Sequence, residues 1–189
     1  MSVVAIDATG CLVIDGKKVF PLGVSNPPPL GGKTPDGKDA WAEVASAGVN
    51  FGRSPSVGWS LPQVDAQLAT MTTWLDAAAA HGLHGWLQLE DAANLPPSPS
   101  PSPSPSPQQQ LLTQIATALK GHPGLGVYEG VDEPANPNRP TPVPAAGLVR
   151  AHQTLKAADP DHPVVIVQAP LRPGFRPDAV PPGLRPHRR

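Results

Sequence analysis

The residues best suited to chemistry are Asp132 and Glu133, two adjacent carboxylates directly before Pro134. They close the stretch GHPGLGVYEGVDEP, Gly121 to Pro134, just after a short apolar run from Leu125 to Tyr128. The run is too short for a helix and is bounded by Gly and Pro, so it reads as a buried strand. Pro134 keeps Glu133 out of the α region and ends any ladder there. Two carboxylates therefore stand where a strand opens into a loop, the end at which parallel α/β proteins place their chemistry. Proton transfer is the chemistry such groups serve. Arg53, Glu90, Asp91 and Trp59 fall at comparable places: Arg53 ends the run Val49 to Arg53, Glu90-Asp91 follows Leu83 to Leu89, and Trp59 lies in the loop after Arg53.

The elements that must position these residues alternate along the chain. Val3 to Ile6 and Cys11 to Ile14 are β-prone, and Asp15-Gly16 before Val19-Phe20 marks a hairpin. Val19 to Val24 reads as the first core strand. Asp39 to Ala47 has helical spacing and stops at Gly48, and Val49 to Arg53 is the second core strand. Leu61 to Ala80 is the clearest helix, with Pro62 in its first turn, a stripe of Leu68, Met71, Leu75 and Ala79, and His81-Gly82 closing it. Leu83 to Leu89 is the third strand. Gln108 to Lys120 is a helix, Leu125 to Tyr128 the fourth strand, Ala145 to Ala158 a helix and Val164 to Val167 the fifth strand. Strand–helix alternation of this kind predicts a parallel sheet with helical crossovers.

Composition narrows the classes of function. The chain has 189 residues, a formal net charge of -1 and a sequence pI near 6.6, giving no global case for nucleic acid or acidic membrane surfaces. No apolar run approaches the ~20 residues of a membrane span. Met1 to Gly10 lacks the basic start and apolar core of a secretory signal, so the default expectation is a cytoplasmic protein. Cys11 is the one cysteine, which excludes an internal disulfide framework and a Cys-based zinc site. The His residues do not cluster: His81 and His84 straddle a helix stop, and His122 and His162 each precede Pro in a turn. Neither a metal nor a cofactor is expected. Gly31-Gly32-Lys33-Thr34 lacks the spacing of a phosphate-binding loop. Trp41 and Trp74 lie on helices and read as core, whereas Trp59, in a loop, is a candidate ligand platform, since an aromatic face packs on apolar C–H patches.

Proline is the outlier at 28 residues, and it is clustered. From Pro96 to Pro107 Pro alternates with Ser, a low-complexity stretch read as a disordered insertion at 95–107. The tail 171–189 is Pro- and Arg-rich, without periodicity, and reads as disordered. The expected organisation is an N-terminal hairpin region over 1–18, a partial barrel over 19–170 and that tail.

DGKKVFPLGV, AGVNFGRS, AAHGLHGWLQLE, HPGLGVYEGVDEP and LKAADPDHPVVIV, in this order and spacing, resemble the first half of a glycoside hydrolase TIM barrel. The resemblance is to the clan whose acid/base Glu ends strand four, and it runs from about Asp15 to Val167. It implies that Glu133 is the general acid/base and that Asp132 is its neighbour in the variant with Asp-Glu-Pro, where other members carry Asn. It implies that Arg53 matches an Arg that hydrogen-bonds the nucleophile, and that Glu90, Asp91, Tyr128 and Trp86 fall where such enzymes line sugar subsites. Glycoside cleavage needs one carboxyl group to protonate the leaving oxygen and a second opposite it, ~5–5.5 Å away for retention or ~6.5–9.5 Å for inversion. A like charge nearby, such as Asp132, favours the proton on Glu133. In the clan the nucleophile is a Glu ending strand seven, and this chain stops after strand five; the tail is read as a non-homologous end.

The expected fold is thus an incomplete (β/α)8 barrel of about four and a half units, with a hairpin before it. The expected function is hydrolysis of O-glycosidic bonds with Glu133 as acid/base, in a chain lacking the nucleophile and inactive by itself. The alternatives are a non-catalytic carbohydrate-binding or pseudoenzyme fragment, and an interaction protein using its Pro-rich segments. The expected partners are a carbohydrate and, through two open sheet edges, other copies of the chain.

Overall fold

The structure, a computed structural model, describes residues 3–97, 104–139 and 143–169. Three antiparallel strands come first: β1 (Val4–Ile6), β2 (Leu12–Ile14) and β3 (Lys17–Val19), in the order β1-β2-β3. Asp15 and Gly16 both have positive φ, 48° and 78°, the turn geometry whose twist matches the flanking strands. The expected core strand Val19 to Val24 is divided in two. Val19 pairs with Leu12 in the hairpin, Phe20 is 83% exposed, and only β4 (Gly23–Val24) joins the main sheet. Pro21 explains the break, because it has no N–H with which to continue a ladder.

The main sheet holds β4, β5 (Phe51–Arg53), β6 (His84–Gln88), β7 (Leu125–Glu129) and β8 (Val164–Val165). All four pairings are parallel and the spatial order is the sequence order. Sequential order with helical crossovers is how a sheet curls toward a barrel; a doubly wound sheet reverses its order part-way. Strand five is shorter than the expected Val164 to Val167, and strand four is one residue longer, ending on Glu129 rather than Tyr128.

The crossovers are α1 (Ala40–Ser46), α2 (Val64–Ala80), α3 (Pro107–Leu119) and α4 (Ala145–Ala158). Asp39 caps α1 by accepting from the N–H groups of Trp41 and Ala42. Leu61–Gln63 forms a 3-10 turn before α2, so the α-helix starts later than the sequence pattern predicts. Ser106 and Gln109 form a reciprocal capping box at α3, with Pro107 in the first turn. The end of the Pro-Ser tract is therefore part of a helix start. The rest of that tract's centre, 98–103, and the tail from 170 lie outside the described residues.

Two apolar clusters hold these layers. The larger lies between the sheet and its helices and includes Met71, Leu75, Leu87, Leu112, Ile115, Leu125 and Tyr128, each fully buried. The smaller joins Val4 and Ile14 of the hairpin to Phe51 and Val127 on the opposite face of the sheet. The hairpin therefore plugs the concave side near the strand starts and leaves the strand ends open. The β6–β7 register slips by one residue between Gly85↔Leu125 and Trp86↔Val127. Gly126 occupies the slip, and a Cβ there would lie 2.5 Å from Phe51 Cε1 and 2.9 Å from His84 Cβ, so only glycine fits. After this bulge Val127 and Glu129 face the concave side. Among the described residues no helix is long and apolar enough to cross a membrane.

Candidate active site

At the open strand ends, β5 and β7 each finish with a charged residue on the concave face. On β5 the alternation Phe51, Gly52, Arg53 returns Arg53 to the side of Phe51; on β7 Val127, Tyr128, Glu129 does the same for Glu129. Their side chains meet as a two-pronged ion pair, Arg53 Nε donating to Glu129 Oε2 at 2.7 Å and Nη2 to Oε1 at 2.6 Å. Arg53 Nη2 also lies 3.1 Å from Asp132 Oδ2. The side chain of Glu129 is 1% exposed and that of Asp132 47%, so the first contact is buried and the second is at the surface. The Trp86 ring backs the guanidinium, with its centroid 5.6 Å from Arg53 Cζ. The hydrogen bond to Glu129, with help from Asp132, raises the Arg53 pKa further against the opposing effect of burial.

Glu133 begins the loop that follows. Its φ of 44° is left-handed, an unusual state for a residue before proline. The chain does avoid the right-handed α region there, as Pro134 predicts, and adopts the left-handed one. Several bonds hold it. The Glu133 N–H donates to the Val167 carbonyl at 2.9 Å, and the Asn136 N–H donates to the Glu133 carbonyl at 2.9 Å. Asn136 Nδ2 donates to Glu133 Oε2 at 2.6 Å, leaving the other carboxyl oxygen without a protein partner among the described bonds. Glu133 is half-buried at the mouth of the sheet.

The next loop over follows β6. Glu90 opens it with φ 53° and a 3-10 turn, Glu90–Ala93. Asp91 is exposed and accepts from Arg139 Nη2 at 2.9 Å. Arg139 Nη1 donates to the Asp132 carbonyl at 2.9 Å, so this one side chain ties the β6 and β7 loops together.

The structure thus brings Arg53, Asp132, Glu133 and Asp91 to one end of the sheet, with Glu90 beside Asp91. It does not bring Tyr128 or Trp59 to a sugar-facing surface. Tyr128 precedes Glu129 on β7 and so points the other way, into the helix layer. Its hydroxyl donates to Asp159 Oδ2 at 2.7 Å, and burial followed by that bond pushes its pKa up. Asp159 also receives His162 Nδ1 at 2.8 Å, and all three side chains are buried. Trp59 is 8% exposed, and its indole N–H donates to the Gln88 carbonyl at 2.8 Å, so it packs over the end of β6 as core.

Three residues of the site, Glu129, Asn136 and Arg139, are absent from the sequence-derived set, while Trp86, which the resemblance names, backs Arg53. Glu129 was legible from strand alternation, once the strand is extended past Tyr128. Asn136 lies three residues after Glu133, a spacing that allows a turn to fold back on it. Nothing in the sequence marks Arg139. Among the described residues no three His, Cys, Asp or Glu side chains converge as a metal site.

The chain is similar in structure to the β-mannanase of the blue mussel Mytilus edulis, with a TM-score of 0.55 and 16% identity over 87% of this chain and 63% of the mannanase. It is also similar to the β-1,4-D-mannanase of Cryptopygus antarcticus, with a TM-score of 0.51 and 13% identity over 88% of this chain and 60% of that one. The β-glucuronidase of Parabacteroides merdae matches with a TM-score of 0.50 and 14% identity over 87% of this chain and 20% of the glucuronidase. The fold is an open, incomplete (β/α) TIM barrel. The chain covers less than two thirds of the length of each of these three structures. No family model matches it, and no curated protein matches it by sequence.

Proposed function

We propose that the chain carries the acid/base half of a glycoside hydrolase site, with Glu133 as the proton donor. The observation that supports this best is the hold on Glu133 at the end of a parallel strand. One carboxyl oxygen is engaged by Asn136 and the other has no protein partner among the described bonds. Acting through the free Oε1, Glu133 gives a proton to the glycosidic oxygen as the bond from that oxygen to the anomeric carbon breaks, and that carbon is taken by a second carboxylate or by a water which that carboxylate activates.

The second carboxylate comes from outside the described strands, from further chain or from a partner. Glu129 is bound on both oxygens by Arg53 and is ill placed to attack. The Nη2 that binds Glu129 also meets the half-exposed Asp132, and Glu90 and Asp91 supply polar contacts for a sugar. A second reading, a non-catalytic carbohydrate-binding or pseudoenzyme fragment, is favoured by one feature: Arg53 is occupied by carboxylates of this same chain.

The test is hydrolysis of a panel of activated aryl glycosides by the purified chain, with Glu133→Gln beside it. The proposal expects turnover, in the chain or in its assembly with the missing carboxylate, that disappears in the variant. Equal turnover in both proteins refutes the role of Glu133. Sugar binding without turnover supports the second reading.

A further inference from the structure

The peptide group between Asp132 and Glu133 is pinned at both ends. Its N–H, that of Glu133, donates to the Val167 carbonyl at 2.9 Å, and its carbonyl, that of Asp132, accepts from Arg139 Nη1 at 2.9 Å. That peptide plane sets one side of the rotation about the Glu133 N–Cα bond, and the Asn136 N–H donating to the Glu133 carbonyl at 2.9 Å sets the other, so together they hold the left-handed φ of 44°. An L-residue leaves that region unless its surroundings over-determine it. Val167 supplies one anchor from β8's extension, and Arg139 supplies the other from six residues downstream of the glutamate. The same guanidinium reaches Asp91 on the neighbouring loop at 2.9 Å, and Asp91 directly follows Glu90, the other left-handed glutamate at a strand end. Arg139 is only a quarter exposed, and its Nε is buried without a protein partner among the described residues. A flat, five-donor group that leaves one donor unpaired to reach two loops is placed for geometry more than for stability.

From these contacts we infer that Arg139 is a positioning residue for Glu133: it locks the Asp132–Glu133 peptide and couples the orientation of the acid to the β6 loop through Asp91. The inference rests on the reading of Glu133 as the proton donor, and its test does not require turnover.

The test is NMR on the isotope-labelled full chain, reading the Glu133 backbone amide and the Asn136 side-chain amide, whose Nδ2 reports the Glu133 carboxylate at 2.6 Å. In Arg139→Met the Glu133 amide exchanges about five- to tenfold faster, as expected for losing one hydrogen bond that holds it closed. The Asn136 side-chain resonances move toward free-amide positions in the same variant. Asp91→Asn, which keeps an acceptor but loses the charge, shifts the same signals the same way by less. Arg139→Lys keeps the charge without the fork and behaves like Arg139→Met; it also serves if the methionine variant does not fold. Unmoved Glu133 and Asn136 signals in a folded Arg139 variant overturn the inference, as does full rescue by lysine. Absence of hydrolysis in the unmodified chain bears on Glu133 as donor and leaves these signals free to decide the role of Arg139.

Discussion

The pair Arg53–Glu129 allows a quantitative test of how the strand ends are held. Replacing Arg53 by Met leaves the Glu129 carboxylate, 1% exposed, without the guanidinium that bonds both its oxygens. Removing one partner of a buried, hydrogen-bonded pair costs about 3–5 kcal/mol. The contact with Asp132, whose side chain is 47% exposed, adds about 0–1 kcal/mol. Stacking on Trp86 adds about 0.5–1 kcal/mol. The buried arm therefore dominates, and its loss is a large part of a total stability of about 5–15 kcal/mol. Glu129→Met should cost much less, about 1 kcal/mol, because Arg53 is 19% exposed and keeps Asp132 and water as partners. The double variant replaces the pair with apolar groups of similar length and should cost only about 1–2 kcal/mol. Urea unfolding with slopes of about 1–3 kcal/mol per molar should then show a midpoint loss above about 1 M for Arg53→Met, largely restored by adding Glu129→Met. A double variant as unstable as the sum of the two single variants would refute the reasoning, since the cost would then not be a stranded buried charge.

Two other predictions concern the rest of the frame. Burial pushes the Asp159 carboxyl up, but hydrogen bonds from His162 and Tyr128 outweigh it and hold the group below its ordinary value. A depressed carboxyl contributes stability that is present above the unfolded-chain value of 3.8 and is lost as pH falls through the folded one. Asp159→Asn should therefore be less stable than the parent at neutral pH, with the gap closing below about pH 4 in thermal melts; a gap constant from neutral to acid would contradict this. The outer edges of β4 and β8 pair with no strand among the described residues, and open apolar edges recruit further strands. Sedimentation should show concentration-dependent association at micromolar protein that Val165→Lys weakens, whereas a monodisperse parent chain would count against it.

Much of this frame is legible in the sequence because it is written in local signals. The strand–helix alternation, the Asp15-Gly16 turn, the Gly48 and Gly82 stops and the Met71–Leu75 stripe each act within a few residues, and each is found in place. The misreadings arise where a long-range contact decides. Val19 to Val24 is uniformly apolar, yet pairing with Leu12 takes its first residue into the hairpin and Pro21 breaks the rest. Ser106 looked like low complexity and is a helix cap, because capping depends on the geometry of Gln109 rather than on composition. In the site, the resemblance puts Tyr128 among subsite residues, whereas alternation on β7 sends it to Asp159 and brings Glu129 inward. The Gly126 bulge sets that phase, and a one-residue slip exchanges every later side chain between faces. Arg139 was beyond reach for a different reason: its partners are a main-chain carbonyl and a side chain 48 positions away.

The two partners of Arg53 also bear on whether the site could be completed. The contact with Glu129 is buried, bonded at 2.7 and 2.6 Å, and too costly to exchange. The contact with Asp132, which shares Nη2, is longer, 3.1 Å, and its carboxylate is half in water. Exposed ion pairs of that kind are worth about 0–1 kcal/mol. A carboxylate entering from further chain or from a partner could take the place of Asp132 on Nη2 at little cost and leave the buried pair intact. Occupation of Arg53 by the chain's own acids therefore weighs less for the fragment reading than its three contacts first imply. Under the proposed reading, Arg53 is held in place by Glu129, and its Nη2 contact with Asp132 is the one a second carboxylate would share.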